Sequence, residues 1–168
     1  LKGLPTRTTQ FGRFDKGLAY TILMKYYMHE KNWAKAEECG RELLKAEYGY
    51  GLMDRYADIF TLENEGNKEI IFACTEERGT NLQLWHDHAL PGNYPTKNAS
   101  IQKWDGYKVP WPFYRTFEEG DDRLSVLVGE YVGTDGVLFN EESDIAKHGN
   151  LYSGAVPVKY GEDPESTG

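Results

Sequence analysis

The sequence predicts a mainly α fold that consists of a tetratricopeptide-like helical hairpin, long aromatic-rich loops and a small amount of β structure. Apolar residues recur with a helical period over residues 13–30 and again over residues 33–47, which predicts the two helices of the hairpin. Between residues 78 and 112, Gly and Pro alternate with large aromatic residues, which predicts a long irregular region. Such a long loop in a compact domain is uncommon and is usually functional or disordered.

The first predicted helix, residues 13–30, is apolar on most of its surface. One line along it is formed by Phe14, Leu18, Ile22 and Tyr26, and the polar residues are confined to a narrow stripe. A helix of this kind is normally covered by neighbours on nearly every side. We therefore expect more packing partners than one other helix can provide.

The second predicted helix, residues 33–47, is amphipathic and follows Asn32, a residue type that caps unpaired N–H groups at a helix start. The small residues Ala19, Ala36 and Gly40 lie near the expected crossing of the two helices, as in tetratricopeptide-type hairpins. One hairpin cannot bury its own apolar faces, and about three are usually needed. The missing helices are therefore expected outside this segment or in another chain.

Beyond residue 47 the sequence predicts only short elements. Residues 134–136, Thr-Asp-Gly, are typical of a β-hairpin turn. The predicted elements are short helices at residues 55–62 and 113–118, a strand at residues 69–75, and two strands at residues 125–132 and 137–139 that flank this turn.

The composition excludes several classes of protein. The chain has 168 residues, and 27 acidic against 19 basic residues give a formal net charge of -8. No run of Lys or Arg is present to attract a phosphate backbone, so we expect no nucleic-acid partner. The longest apolar run, residues 70–74, is far shorter than the roughly 18 residues of a membrane-spanning helix. Cys39 and Cys74 are too few for a disulfide scaffold and lack the spacing of a zinc site.

The aromatic loop region is the best candidate for a ligand site. Flat rings and short polar side chains suit a sugar, which combines apolar C–H faces with a rim of hydroxyls. The alternative is that these rings only pack the loops onto the helices. The predicted ligand-binding residues are Trp85, Tyr94, Trp104, Tyr107 and Trp111 for the rings, with Asn93 and Asp105 as polar partners and Asn81, Gln83 and Asn98 as further amides.

Two kinds of catalytic or metal site are weaker alternatives. His86 and His88 could form a metal pair if they lay on a strand, but no third ligand is evident, so we favour a surface loop and predict no metal or cofactor. The acidic residues between 63 and 77 could supply a carboxylate pair for glycoside hydrolysis. Nothing in the sequence sets the distance between them, and a solvated charged surface is the favoured interpretation.

Three segments in series form a pattern that matches a known family. The first leads from Gly12-Arg13-Phe14 to Asn32-Trp33-Ala34, the second from Tyr50-Gly51-Leu52 to Glu69-Ile70-Ile71-Phe72, and the third from Gly106 through Pro110 and Phe117 to Asp121-Asp122-Arg123-Leu124. In these segments the chain resembles the SusD/RagB-like surface lipoproteins that capture nutrients for Bacteroidetes. Trp111-Pro112-Phe113 departs from the family pattern, which often has a small polar residue there.

The resemblance implies a SusD-like α superhelix, with residues 1–168 as part of a single domain. Residues 13–47 would be its helical hairpin and residues 48–168 its loop-rich ligand-binding region. Because the chain begins at Leu1 and not at Met, we expect an internal segment of a longer protein.

The function that the resemblance implies is non-catalytic binding of glycans or other nutrients at the bacterial surface, for delivery to a SusC-like TonB-dependent outer-membrane transporter. The expected location is the outer membrane, held only by a lipid anchor outside this segment. The alternative is a tetratricopeptide-type adaptor that grips another protein. Such an adaptor would continue with further helical pairs, whereas here the helical period stops at residue 47.

Overall fold

The computed structural model describes residues 1–10, 12–76, 80 and 83–165. The chain divides into two compact units. Unit 1 comprises Leu1–Asp54 and Gly66–Thr75, and unit 2 comprises Arg55–Glu65 and Glu76–Gly168. The helical hairpin belongs to unit 1, and the strands of the described residues belong to unit 2.

Unit 1 contains the predicted hairpin, with α1 at Lys16–His29 and α2 at Trp33–Leu43. Asp15 caps α1, since its Oδ1 accepts a hydrogen bond of 2.9 Å from the Leu18 N–H. Asn32 caps α2 through its Oδ1, which accepts from Lys35 N–H at 3.3 Å. The predicted hairpin and the predicted Asn32 cap are confirmed. α2 ends earlier than residue 47, and a 3-10 turn at Ala46–Tyr48 replaces its last turn.

The outer side of α1 is open to solvent. Ile22 is 52% exposed and Tyr26 56%, and Phe14, just before the helix, is 64% exposed, whereas Gly17 is the buried residue of the helix. The opposite side of α1 contacts α2, which buries Ala36. The expected cover on nearly every side of α1 is therefore not supplied by the described residues.

The strand predicted at residues 69–75 is wrong, because this segment is irregular. Hydrogen bonds from the Arg7 side chain, and not strand pairing, hold part of this segment. The Arg7 guanidinium donates to the carbonyl oxygens of Gly49 at 3.0 Å and Asn67 at 3.2 Å, and so ties two loops together. Segment 66–75 is thereby held by a side chain.

Unit 2 consists of short elements joined by loops. The strands form two antiparallel sheets, with order β1-β5-β2 in one and β3-β4 in the other. In chain order the elements are α3 at Trp85–Ala89, β1 at Val109–Pro110, α4 at Trp111–Tyr114, β2 at Leu127–Val128, β3 at Glu130–Val132, β4 at Leu138–Asn140, α5 at Glu141–Ile145 and β5 at Gly154–Pro157.

The predicted hairpin turn at residues 134–136 is confirmed. β3 and β4 pair antiparallel on either side of it, with Tyr131 opposite Phe139. Gly136 adopts a φ of 78°, a left-handed conformation in which glycine has no steric cost. The turn chemistry of three consecutive residues was therefore sufficient to predict this hairpin.

The core of unit 2 surrounds β5, the middle strand of its sheet, which is buried at every position. Leu90, Leu151 and Val156 are fully buried there. Trp111 is part of the same cluster, and its indole N–H donates to the carbonyl oxygen of Leu151 at 2.8 Å. This bond satisfies the one polar group of the buried ring.

The predicted fold class is wrong. The structure is 34% helical and 9% strand, with two small antiparallel sheets, and is not a helical superhelix dominated by α structure. The helical period of the sequence ends with α2, and the α-helices that the structure describes beyond it have only four or five residues. Among the described helices, none has the length and apolar character that crossing a membrane requires.

Candidate functional site

Aromatic side chains of unit 2 form a connected series of ring contacts. The ring of His88 lies between those of Trp104, at 4.7 Å, and Tyr107, at 5.1 Å. Tyr107 contacts Trp85 at 5.4 Å. From Trp85 the series continues to Tyr160 at 5.5 Å and from there to Phe60 at 5.7 Å. We call these six residues the aromatic series.

The aromatic series offers ring surface to solvent at several points. Trp104 is 52% exposed, Tyr107 45% and Tyr160 38%. The rings of Trp85 and His88, which lie between them, are half-buried. The half-buried rings fix the positions of the exposed ones, because each exposed ring leans on at least one of them.

Helix α3 and the segment that follows it hold Trp104 in place. The last carbonyl groups of a helix lack partners within the helix. Here the N–H groups of Gly106 and Tyr107 both donate to the carbonyl oxygen of His88, at 2.6 and 2.7 Å. The Trp104 N–H donates to the Asp87 carbonyl oxygen at 2.5 Å. Residues 103–107, which we call the strap, are therefore hydrogen-bonded across the end of α3.

Two features of the backbone show that the strap approaches α3 closely and is strained. A Cβ added to Gly106 would lie 3.0 Å from the carbonyl oxygen of His88, so the strap approaches α3 closely only because residue 106 is glycine. Lys103 and Asp105, on either side of Trp104, have φ angles of 54° and 56°. Residues in this left-handed region cost roughly 1 kcal/mol or more each and cluster at functional sites. Because the two strained residues flank Trp104, this position is a candidate for a functional role.

The other end of the aromatic series is held by the chain that follows β5. The Trp85 indole N–H donates to the Pro157 carbonyl oxygen at 2.9 Å. His86 Nε2 donates to the carbonyl oxygen of Tyr160 at 2.9 Å. Beside Tyr160, the Lys159 ammonium lies 4.1 Å from the centre of the Phe60 ring. α3 is thereby bonded to both ends of the segment that carries Lys159 and Tyr160.

The structure brings together three of the predicted ligand-binding residues, Trp85, Trp104 and Tyr107. Tyr94 contacts the Tyr131 ring at 5.0 Å and packs against the core. Asp105 forms an ion pair with Lys108. Of the further amides, Asn98 is buried, Gln83 accepts a hydrogen bond from the Trp85 N–H, and Asn81 lies outside the described residues.

Trp111 is only 6% exposed and has no free ring face for a ligand. Its prediction as a binding residue therefore does not fit its position, because the core of unit 2 closes around it. Its indole N–H is also used within the chain, in the bond to Leu151. We assign Trp111 to the core.

Asn93, another predicted residue, belongs to a partly buried hydrogen-bond network. Its Oδ1 accepts from the Tyr131 hydroxyl at 2.8 Å and from Asn150 Nδ2 at 2.7 Å. The Asn93 carbonyl accepts from Thr134 N–H in the hairpin turn. Burial raises the pKa of Tyr131 to about 12, so its hydroxyl keeps its proton and remains a donor at ordinary pH. Asn93 thus joins the hairpin to the core.

The His86-Asp87-His88 motif lies on α3 and not on a strand, and its three side chains serve different partners. His86 bonds to Tyr160, the His88 ring belongs to the aromatic series, and Asp87 Oδ1 accepts from the Gln102 N–H at 2.8 Å. Over the ranges that the structure describes, no group of three or more His, Cys, Asp or Glu residues could hold a metal ion.

Unit 1 has a cavity of about 480 Å³, lined among others by Arg7, Asp15 and Phe72. Its buried charged groups are already used by the fold. Arg7 donates to loop carbonyls, and Asp15 accepts from the N–H groups of Thr8 and Leu18. We therefore favour the aromatic series over this cavity as the candidate site.

Sequence reasoning missed three members of the aromatic series, Phe60, His88 and Tyr160, and also the adjoining Lys159. His88 was considered only as a metal ligand, although its neighbours in sequence are mostly apolar or aromatic. No local signal could have found Phe60, Lys159 or Tyr160. Their positions depend on contacts between distant parts of the chain, such as the bond from His86 to residue 160, which lies 74 residues away.

Comparisons with known proteins add no assignment. No family model, no curated protein and no solved structure matches the chain. The function must therefore be argued from the residues and their geometry.

Proposed function

We propose that this chain binds saccharides, or nutrients of similar chemistry, without catalysing a reaction. The observation that carries the proposal is the position of Trp104, half-exposed on a strained strap and backed by the aromatic series. A pyranose ring stacks its C–H face on such a surface. Because the strap is bonded to α3, little conformational freedom is lost on binding.

The tryptophans of unit 2 differ in a way that supports this role. The indole N–H groups of Trp85 and Trp111 donate to carbonyl oxygens of the chain. The Trp104 indole N–H has no hydrogen-bond partner among the described residues, and half of this side chain is exposed. It is free to donate to a sugar hydroxyl while the ring supplies apolar contact.

Binding without catalysis is favoured by the carboxylates near the aromatic series, which are occupied by the chain. Asp87 accepts from Gln102 N–H, Asp105 is paired with Lys108, and Glu162 Oε2 accepts from Lys97 N–H at 2.8 Å. A general acid and a general base need carboxyl groups that can exchange protons with the substrate. Among the acidic residues considered for hydrolysis, Glu69 accepts from Met53 N–H, and Glu77 lies outside the described residues.

The cellular role within this proposal rests on the resemblance to SusD/RagB-like lipoproteins. The chain would be part of a protein on the outer-membrane surface, held by a lipid anchor outside this segment, that passes its ligand to a SusC-like TonB-dependent transporter. The resemblance covers about residues 12–124, which include Trp85 and Trp104 but not Tyr160.

The test is titration with a panel of oligosaccharides, followed by calorimetry, for the unaltered chain and Trp104→Ala. We expect at least one glycan to bind, and Trp104→Ala to weaken it about tenfold, which is about 1.4 kcal/mol. Trp33→Ala is the matched control, because Trp33 is 63% exposed but belongs to unit 1. Equal affinity of the Trp104→Ala and unaltered chains, or no binding by any glycan, would refute the proposal.

A protein-binding adaptor remains the second candidate function, and a specific observation favours it. The outer side of α1 exposes Ile22 and Tyr26, with Phe14 exposed just before the helix, and exposed groups of large apolar side chains are typical of protein interfaces. The same titration separates the two candidates. Trp104→Ala leaves the α1 surface unchanged, so binding that depends on Trp104 belongs to the aromatic series.

A further inference from the structure

The Lys159 side chain places a positive charge beside the aromatic series. The Lys159 ammonium lies 4.1 Å from the centre of the Phe60 ring and 5.8 Å from that of Tyr160. Among the described residues, no carboxylate lies within ion-pair distance of it. A cation held over an aromatic face keeps its positive charge and most of its hydrogen-bond donors.

Two other lysines of unit 2 already have partners for their ammonium groups. Lys108 is paired with Asp105, and the Lys103 ammonium donates to the Tyr94 carbonyl oxygen at 2.8 Å. The Lys159 ammonium lies beside the Phe60 and Tyr160 rings and has no hydrogen-bond or ion-pair partner among the described residues. Of these three ammonium groups, it is the one that remains available to a ligand.

The place of Lys159 along the chain fixes its relation to the rings. β5 and the bond from His86 to Tyr160 hold the segment on both sides of residue 159. Tyr160 is 38% exposed and contacts Trp85, the next ring of the series. A sugar ring that covers Tyr160 thus has the Lys159 ammonium within the reach of one substituent.

We propose that the ligand of the aromatic series is an acidic oligosaccharide, in which the carboxylate of a uronate residue pairs with Lys159 while its neighbours stack on Tyr160 and Trp104. This inference rests on the proposed saccharide-binding function. The net charge of -8 does not forbid an acidic ligand. Charges are screened beyond about 8 Å at physiological ionic strength, whereas a contact pair at about 4 Å is not.

The experiment compares uronate oligosaccharides of gluco, galacto and manno configuration with their methyl esters, which keep the sugar skeleton and remove the charge. Calorimetry of the unaltered chain should show about fivefold tighter binding of one acid form than of its ester, the upper range for a partly exposed ion pair. Lys159→Gln should abolish that difference, and Lys159→Arg should retain it. Lys25→Gln, at an exposed lysine of unit 1, is the control.

The outcomes separate this inference from the function on which it rests. If acid and ester bind equally, and Trp104→Ala weakens both, the saccharide site stands and the role of Lys159 is refuted. If neither form of any of these sugars binds, the inference fails, and the wider neutral panel decides the saccharide function. If salt at about 0.5 M removes the preference for the acid while ester binding persists, the ion pair is supported.

Discussion

The helices of unit 1 and the aromatic rings of unit 2 are held by different kinds of hydrogen bond. Unit 1 is built on two helices whose ends are capped by residues three positions away, Asp15 and Asn32. Unit 2 has only short elements, and its rings are held by bonds between distant residues. The indole groups of Trp85 and Trp111 reach carbonyl oxygens 72 and 40 residues away.

This difference shows which surfaces of the chain are suited to binding a partner or a ligand. Local hydrogen bonds complete the hairpin of unit 1 but leave an apolar side of α1 exposed, which suits a broad contact. Long-range bonds in unit 2 hold irregular loops rigidly enough to present Trp104 and Tyr160 in fixed positions. Binding residues are commonly carried by loops that a rigid scaffold positions.

The largest expected effect tests whether unit 2 depends on its buried indole. Trp111→Ala removes a core ring and the hydrogen bond to Leu151, and should lower the free energy of unfolding by about 3–5 kcal/mol. Trp104→Ala, at a half-exposed ring, is the matched control and should cost far less. Urea denaturation measures both. Hydrogen exchange should place the loss for Trp111→Ala in unit 2, and equal costs for the two variants would contradict our assignment.

A smaller effect on the free energy of unfolding is expected in unit 1. An alanine methyl group has no room at Gly17 but has room at Gly40. An added Cβ at Gly17 would lie 1.9 Å from the Tyr50 hydroxyl oxygen, and the Tyr50 ring is held by stacking on Tyr48. Gly17→Ala should therefore cost about 1–3 kcal/mol. At Gly40 the nearest atom is the Met24 sulfur at 3.5 Å, an ordinary contact. Gly40→Ala should gain about 0.5–1 kcal/mol, because alanine is the better helix former.

Thermal denaturation followed by circular dichroism at 222 nm reads the helices of unit 1 directly. Opposite signs for the two glycine variants are the expected result. Destabilisation by Gly40→Ala would contradict the ordinary contact expected with Met24. No destabilisation by Gly17→Ala would show that Tyr50 packs less tightly against α1 than the structure has it.

A further expected effect is a response to alkaline pH that both units share. Burial is the main cause that raises the pKa of Tyr48 in unit 1 and of Tyr131 in unit 2 to about 12, from an ordinary value of 10.0. As the pH rises, the unfolded chain loses these protons first. Stability should therefore be unaffected below pH 10 and fall between pH 10 and about pH 12.

Urea midpoints measured from pH 9 to pH 12 test this response. Tyr131→Phe should flatten the alkaline fall in unit 2 only, and Tyr48→Phe in unit 1 only, with segmental hydrogen exchange assigning each loss. An unchanged slope in either variant would contradict the burial of that hydroxyl. Each phenylalanine variant also loses a hydrogen bond, to Glu42 or within the Asn93 network, so its stability at neutral pH should be slightly lower.

The sequence by itself determined the elements that depend on neighbours within a few residues. The helical period predicted the hairpin, Asn32 its cap, and residues 134–136 the turn between β3 and β4. Each of these rests on bonds that close within about four residues. The predicted superhelix is wrong because it needed further long helices, whereas the α-helices that the structure describes beyond residue 43 have only four or five residues.

Only the tertiary structure decided which aromatic residues are buried and which face solvent. Trp104 and Trp111 are close in sequence and chemically identical, yet one is half-exposed and the other belongs to the core. The tertiary structure also decided the surroundings of Lys159, because its ring partner Phe60 lies far away along the chain. A side chain's partners across long separations depend on how the loops close, and no residue pattern in one segment encodes that closure.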